Sequence, residues 1–347
     1  MQLISNPYRG GDKLAAEAPY PSTDAPKVAA LLSKCPKTGE TELLRFDAPS
    51  GLGVLWAKDE RGRMGLGSFK ALGAAYVIAT QASEISDQPD GSTLQGRTYV
   101  TASAGNHGLS VAAGARAFGA KAVVCIAEAV PESFAERLSA LGATPIRVGT
   151  NYAESMDEAM RLAKDNDWTL LSDTSWAGYT EIPRILMEGY VQMVAEAVDQ
   201  CPEAPTHIFL QAGVGGLACA AAAYARKAWG DEPTIIVVEP ENAPALQASI
   251  EAGKCVFADG PESSMGRLDC KEPSLIALNG LARDADFFLT LTDEEVESQL
   301  PTLAGMGMET SPSGGAGLVA ALRSDVQGAL GVGGDARVLC FISEGPA

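Results

Sequence analysis

The stretch that decides the fold is THIFLQAGVGGLACAAAAYARKAWGDEPTIIVVE, residues 206–239. An apolar run at 206–212 leads through a glycine-rich turn into a run of good helix formers, and a second apolar run follows at 233–239. Short runs that are apolar throughout are typical of strands buried on both faces, and a helix between two of them makes a right-handed crossover in a parallel sheet. The stretch therefore predicts an α/β fold with buried parallel strands.

The same alternation of apolar runs and helical patterns continues through most of the chain. Further candidate strands lie at 53–58, 97–102, 121–127, 144–149 and 336–342. HGLSVAAGARAFG (107–119) is another run of helix formers closed by glycine. Two regions, about 1–50 and 255–275, break the alternation and are expected to be loop-like, and 87–96 is expected to be a surface loop.

Composition excludes several classes of function. The chain has 347 residues, 46% of them apolar, which is enough for two domains or one large α/β unit. A net charge of −18 would repel a polyanion, so we expect no nucleic-acid partner. No apolar run reaches the roughly 18 residues of a transmembrane helix, and the N-terminus lacks a signal-peptide pattern. We therefore expect no membrane association and a cytoplasmic location.

The seven cysteines are an odd number without a CxxC pair, which disfavours a disulfide framework and a zinc site. Cys125 and Cys340 lie in apolar runs and are expected to be buried thiols. Glu309 and the acids at 293–297 could contribute to a cation site, but solvated surface acids are the simpler explanation. We therefore assign no metal ligand.

The turn QAGVGG (211–216) is the first candidate site. Gly213, Gly215 and Gly216 allow close approach of a ligand, and the next helix would direct its unpaired N–H groups at an anion such as phosphate. A tightly packed turn without a ligand is one alternative. A dinucleotide site is another, because Glu239 ends the next strand, although Ala218 stands where the third glycine of that motif belongs.

The turn at residues 103–107 is the second candidate site. The turn Ser103, Ala104, Gly105, Asn106, His107 follows a strand and opens a helix, so its N–H groups would suit a carboxylate. Within it, a capping or core role is preferred for His107 over that of a catalytic base.

Lys70 in GSFKALG (67–73) lies among apolar neighbours. It either extends to solvent or is held for Schiff-base chemistry. A phosphate turn, a carboxylate turn and such a lysine together are what a pyridoxal-phosphate (PLP) amino-acid enzyme requires.

GSFKALG, SAGNHG and the glycine turn, in this order, resemble the fold-type II PLP enzymes, the tryptophan-synthase-β-like group, from about residue 40 to the end of the chain. SDTSWAGYTEIPRILMEGY (172–190) and SSMGRLDCKEPS (263–274) are similar to diaminopropionate ammonia-lyases within that group. The resemblance implies two parallel-sheet domains: a large PLP-binding domain of 1–74 plus 186–347, and a smaller inserted α/β domain of 75–185. It also implies a homodimer.

The resemblance further implies roles for individual residues. Lys70 would hold the cofactor and transfer protons, Asn106 would bind the phenolic oxygen of PLP, and Ser343 would face its pyridine nitrogen. The backbone of the phosphate turn would bind the phosphate, through Gly213, Val214, Gly215, Gly216 and Leu217. The substrate carboxylate would lie on Ser103–His107.

Two positions depart from the ammonia-lyase pattern. Ala104 stands where that pattern has an aspartate, implied to be a second base that attracts the substrate's amino group, and Asp173 would take part of this role. Arg267 stands where the pattern has a small residue. The loss of an acid at position 104 and the gain of a cation at position 267 predict a more positive pocket. We therefore expect the β-substituent of the substrate to be neutral or anionic. Arg267 could instead be a solvated loop residue.

The implied activity is α,β-elimination on a small 3-substituted amino acid, giving a 2-oxo acid and ammonia, as in a diaminopropionate ammonia-lyase. A dehydratase of 3-hydroxyaspartate, serine or threonine, or an eliminase of another anionic β-substituted alanine, is the nearest alternative. An NAD-dependent dehydrogenase that uses Glu239, and a PLP-binding protein without activity, are more distant ones.

Overall fold

A computed structural model describes residues 1–35 and 37–346 as an α/β structure with two β-sheets. The strands are β1 (Gln2–Ser5), β2 (Leu43–Asp47), β3 (Val54–Asp59), β4 (Thr98–Ala102), β5 (Lys121–Ile126), β6 (Thr144–Arg147), β7 (Thr169–Leu170), β8 (His207–Gln211), β9 (Thr234–Pro240), β10 (Phe287–Leu291) and β11 (Arg337–Ile342). The α-helices are α1 (Ala25–Leu32), α2 (Ala74–Ser83), α3 (Asn106–Ala117), α4 (Glu132–Ala140), α5 (Tyr152–Asn166), α6 (Glu181–Gln200), α7 (Gly216–Trp229), α8 (Ala245–Ala252), α9 (Leu275–Asp284), α10 (Asp293–Glu297), α11 (Leu300–Gly305), α12 (Pro312–Leu322) and α13 (Ser324–Leu330). Short 3₁₀ turns lie at Pro49–Gly51, Glu60–Gly65 and Phe69–Leu72.

The larger sheet has seven strands in the order β1-β10-β9-β8-β11-β3-β2. Its five inner strands are parallel, and both edge strands are antiparallel to their neighbours. The smaller sheet has four parallel strands in the order β6-β5-β4-β7. All seven strands predicted from apolar runs form, so the α/β fold class is confirmed.

The prediction that residues 1–50 are loop-like is wrong, because β1, α1 and β2 lie there. Both strands are at sheet edges and half exposed, so their sequences lack the continuous apolar run of an inner strand. β10 is a further inner strand, absent from the strands predicted from the sequence. The expected loop at 87–96 contains no helix or strand among the described residues, and the loop at 255–275 ends where α9 begins.

The core of the larger unit lies on both faces of its sheet. On one face, α7 packs between α6 and α9, and its alanines are buried. On the other face, α12 packs across β8 and β11. Cys125 and Cys340 are buried as predicted, and all seven cysteines are unpaired. No helix in the described part of the chain is long and apolar enough to cross a membrane.

A buried ion network ties the first strands to α6. The guanidinium of Arg63 lies 2.7 Å from both Glu60 and Glu196, and Lys58 Nζ lies 2.8 Å from Glu196. All four side chains are at most 3% exposed. Burial alone would raise the pKa of Glu196, but its two cationic partners lower it to about 2.

Candidate active site

The predicted site segments meet at the carboxyl ends of the strands. The turn after β4 opens α3, the turn after β8 opens α7, and Ser343 follows β11. The 3₁₀ turn that carries Lys70 joins them, because Phe69 N–H donates to the carbonyl of Ser343 at 3.0 Å. β8 and β11 belong to the larger sheet and β4 to the smaller one, so the site combines the carboxyl ends of strands from two sheets, the end at which α/β folds bind ligands.

Lys70 forms an ion pair with Asp173. Its Nζ lies 2.5 Å from Oδ2 of Asp173, and the two side chains are only 23% and 17% exposed. Burial alone would lower the pKa of Lys70, but the attraction of Asp173 outweighs it, so the pKa lies above its ordinary value. Burial alone would raise the pKa of Asp173, but the ammonium of Lys70 holds it well below its usual range.

The glycine turn after β8 offers several backbone donors. The N–H groups of Gly215, Gly216 and Leu217 have no protein acceptor among the described residues, and they stand at the N-terminus of the 14-residue helix α7. Such a terminus attracts an anion. Gly215 has φ +95°, and a Cβ there would lie 2.9 Å from Cβ of Ala277, so both its conformation and its packing require glycine.

Unpaired polar atoms also surround Lys70. The hydroxyl groups of Ser68 and Tyr190 are buried and have no partner within the described residues. The Tyr190 ring lies 4.8 Å from that of Phe69, and its centroid lies 5.9 Å from Lys70 Nζ. Burial raises the pKa of Tyr190 to about 12, so its phenol stays protonated as a donor. Buried polar groups without partners are costly, so a polar group bound beside Lys70 would satisfy them.

The turn Ser103–His107 is held by its own serine. Ser103 Oγ accepts from Gly105 N–H at 3.2 Å and from Gly108 N–H at 3.0 Å. The N–H groups of Asn106 and His107 have no protein acceptor in the described part of the chain. These two residues begin the 12-residue helix α3, and their N–H groups suit a carboxylate.

His107 is a buried residue rather than a free base. It is 5% exposed, and its Nε2 donates to the carbonyl of Leu171 at 2.9 Å, which makes Nε2 the protonated nitrogen. Burial lowers its pKa, so the imidazole is neutral.

Glu344 is a site residue that the sequence analysis missed. Its side chain is 6% exposed and accepts hydrogen bonds from Asn106 Nδ2 and Ser311 Oγ, while Oε1 lies 3.0 Å from Nη1 of Arg267. The signal available in the sequence was its position, because Glu344 comes directly after Ser343, the serine that follows the buried strand β11. Tyr190, in the quoted segment 172–190, was also not singled out.

Arg267 has an acidic partner that the sequence prediction did not include. Arg267 adds a cation beside the turn that contains Ala104, but Glu344 adds an acid that pairs with it. Together with the Lys70–Asp173 pair, the cationic and anionic side chains balance. A pocket more positive than that of the ammonia-lyase pattern stays a prediction.

The dinucleotide alternative is wrong in its use of Glu239. This side chain is fully buried, and its two oxygens accept from the N–H groups of Leu246 at 2.7 Å and Gln247 at 2.8 Å. It caps α8 and is not available to a ribose. Burial raises its pKa to about 8.

No group of three or more His, Cys, Asp or Glu side chains that could hold a metal ion occurs within 1–35 and 37–346. Asp293 instead accepts from Ser263 Oγ, and Glu295 completes a capping box with Thr292.

The residues around Lys70 fit PLP. The unpaired N–H groups of the α7 turn suit its phosphate, the buried lysine suits its aldehyde, and the unpaired hydroxyl groups of Ser68 and Tyr190 suit its polar atoms. Ser343 follows β11 of the larger sheet and Asn106 follows β4 of the smaller one. The two are near each other because Nδ2 of Asn106 donates to Glu344, the residue after Ser343.

Comparison with known proteins agrees with this geometry. A family model described as pyridoxal-phosphate dependent enzyme matches residues 35–344. A diaminopropionate ammonia-lyase of Salmonella typhimurium is 33% identical over 337 residues, which cover 88% of this chain and 80% of that protein. An L-serine dehydratase/L-threonine deaminase of Bos taurus is 31% identical over 195 residues, which cover 55% of this chain and 53% of that protein.

Solved structures show the same similarity. The diaminopropionate ammonia lyase of Escherichia coli, in complex with an aminoacrylate-PLP azomethine reaction intermediate, superposes with a TM-score of 0.87 at 28% identity. The match covers 99% of this chain and 93% of that chain.

Proposed function

This chain belongs to the pyridoxal-phosphate dependent enzyme family, and on that premise we propose that it is a lyase that performs α,β-elimination on a small 3-substituted amino acid. The products are a 2-oxo acid and ammonia, as expected of a relative of diaminopropionate ammonia-lyase. The observation that carries the proposal is the buried Lys70–Asp173 pair beside a helix N-terminus whose N–H groups lack partners.

Each site residue has a task in this reaction. PLP, when bound, withdraws electrons from the substrate's Cα and so acidifies its proton. Lys70 Nζ would take up that proton, and Asp173 favours the uptake because it stabilises the ammonium form. The Ser103–His107 turn would orient the carboxylate, and the neutral hydroxyl of Ser343 would stand at the pyridine nitrogen.

The decisive experiment is an absorption spectrum of the purified protein, followed by addition of 2,3-diaminopropionate and an assay for pyruvate. We expect a PLP band and pyruvate release in the wild type, and the loss of both in Lys70→Ala. Lys121→Ala is the control, because Lys121 is exposed and begins β5, at the opposite end of the strand from the carboxyl ends that carry the site. A wild-type protein without a PLP band after the cofactor is supplied would contradict the proposal.

A hydroxy-amino-acid dehydratase is the second candidate. It is supported by the similarity to an L-serine dehydratase/L-threonine deaminase and by Ala104, which stands in the substrate turn where the ammonia-lyase pattern has an aspartate to attract a β-ammonium group. Faster 2-oxo acid formation from serine, threonine or 3-hydroxyaspartate than from 2,3-diaminopropionate would favour it.

Other expectations stay proposals. The division into 1–74 plus 186–347 and 75–185 is supported by the smaller sheet, whose strands all fall within 98–170. A cytoplasmic location is supported by seven unpaired cysteines, because free thiols persist in a reducing compartment. The homodimer rests on the family resemblance alone.

A further inference from the structure

Arg267 occupies a distinctive place between the two halves of the site. Its backbone lies beside the phosphate turn, where a Cβ on Gly213 would be 3.1 Å from the Arg267 carbonyl oxygen. Its side chain reaches the substrate turn, where a Cβ on Gly105 would be 3.7 Å from Arg267 Nε. The guanidinium therefore lies in the cleft, next to the position expected for the amino-acid substrate.

Only part of the guanidinium is used by the protein. Nη1 donates to Glu344, whereas Nε and Nη2 have no acceptor among residues 1–35 and 37–346. The side chain is 38% exposed, so these two donors face an open part of the cleft. The Nε–Nη2 edge of arginine matches the two oxygens of a carboxylate in a bidentate pair.

Glu344 fixes the direction of this free edge. It is buried, and it also accepts from Asn106 and Ser311, so it is anchored from three sides. A surface arginine samples many rotamers. In Arg267, by contrast, Nη1 is fixed by Glu344, and the Nε–Nη2 edge points to the place where a ligand would bind. Such preorganisation reduces the entropy lost when a ligand binds.

The α-carboxylate of the substrate does not need this edge. The N–H groups of Asn106 and His107, at the N-terminus of α3, already supply donors without protein acceptors. Ala104 contributes no acid to compete for the guanidinium. A second carboxylate on the substrate is therefore the group that would bind the Nε and Nη2 donors of Arg267.

We propose that Arg267 is a specificity-determining residue that binds a second carboxylate, so that the preferred substrates are 3-substituted aspartates rather than 3-substituted alanines. This inference rests on the proposed function. Loss of the α-proton and of the 3-substituent, as water or ammonia, leaves an enamine of oxaloacetate. Its tautomer, the imine, takes up water to give oxaloacetate and ammonia, so the atoms balance without an oxidant or reductant.

The test measures binding rather than turnover. Racemic alanine, aspartate and 2,4-diaminobutyrate are titrated into the PLP-loaded protein, and the absorption change of the cofactor gives an apparent Kd for each. We expect wild-type protein to bind aspartate at least about 10-fold more tightly than alanine, the gain expected of one charge-assisted pair. 2,4-Diaminobutyrate should show no such gain.

Arg267→Ala should abolish the preference for aspartate and leave the Kd of alanine unchanged. Arg267→Lys, which keeps the charge but loses the planar fork, should retain a fraction of the preference. Arg137→Ala is the control, because Arg137 is exposed on α4 and remote from the cleft. If Arg267→Ala does not take up PLP, the comparison of Arg267→Lys with the wild type decides.

Two results would overturn the inference while the proposed function stands. Equal weakening of alanine and aspartate in Arg267→Ala would place Arg267 on the α-carboxylate, and unchanged affinities would leave it as a partner of Glu344 only. In either case 2-oxo acid formation from some 3-substituted amino acid would continue. A wild-type protein that shows no PLP band would instead contradict the proposed function itself.

Discussion

At the scale of single residues, Asp173 controls the protonation of Lys70. The two charges lie 2.5 Å apart in a mostly buried position, and Asp173 is the main reason that the pKa of Lys70 lies above its ordinary value despite burial. A lysine must lose its proton before its nitrogen can attack an aldehyde. The ion pair therefore makes attachment of the cofactor sensitive to pH.

We expect Asp173→Asn to shift the pH dependence of PLP attachment to lower pH. Without the carboxylate, burial dominates and lowers the pKa of Lys70, so the neutral amine is present at lower pH. A shift of at least about one unit corresponds to ~1.4 kcal/mol of lost interaction. The measurement is the rate at which the PLP band appears in apoprotein, as a function of pH. Asp165→Asn on α5 is the control, and an unchanged profile would contradict the assignment.

The sequence predicts the residues that belong to contiguous motifs. Lys70, the Ser103–His107 turn and the glycine turn all lie in short segments whose order is recognisable, and the structure brings them together between the carboxyl ends of strands from two sheets. Glu344 could not be predicted in this way, because its partners Arg267 and Asn106 lie 77 and 238 positions away in the sequence. Pairing across such separations depends on the folded chain.

At the scale of elements, the turn between β8 and α7 depends on one backbone conformation. Gly215 has φ +95°, and α9 closes the space above it with Ala277. A side chain at this position would be strained and would also displace α9. The N–H groups at the start of α7 would then no longer converge on a single bound anion.

We expect Gly215→Ala to weaken PLP binding and to lower the free energy of unfolding by about 1–2 kcal/mol, the cost of a left-handed conformation for a residue with a Cβ. PLP titration and thermal unfolding of the apoprotein measure the two effects. Gly328→Ala in α13 is the matched control, because a Cβ there meets open space, and it should raise stability by about 0.4–1 kcal/mol. Equal behaviour of the two variants would refute this account of the turn.

Most inner strands of the larger sheet are predictable from sequence, with β10 as the exception, whereas its edge strands β1 and β2 are not. β8, β9 and β11 are almost wholly buried, and each shows an unbroken apolar run. β1 and β2 are half exposed and carry polar residues, so their pairing depends on neighbours that only the fold supplies.

At the scale of the whole molecule, the buried network of Lys58, Glu60, Arg63 and Glu196 joins the first strands to α6. Removing one member leaves buried charges without partners, which costs more than an exposed ion pair contributes. This network links the chain's first sixty residues to the centre of the larger unit.

We expect Glu196→Gln to lower the free energy of unfolding near neutral pH by about 3 kcal/mol, from the difference between a folded pKa of about 2 and an ordinary value of 4.5. Because the pKa of Glu196 is lowered in the folded state, its carboxylate stabilises the fold at pH values above the ordinary pKa of 4.5. That stabilisation is lost as the pH falls from 4.5 toward 2. Urea unfolding at several pH values should therefore show the gap between variant and wild type narrowing below pH 4.5. Glu136→Gln on the surface of α4 is the control, and a gap independent of pH would contradict the prediction.

The position of β11 has a consequence for synthesis on the ribosome. This strand is made after the ten other strands that the structure describes, yet it lies in the interior of the larger sheet, with β8 on one side and β3 on the other. β2 and β3, made near the beginning, reach the rest of that sheet only through it. The nascent chain must therefore carry an unfinished sheet with open edges until residues 337–342 emerge, and chaperones that cover exposed strand edges would act during that interval.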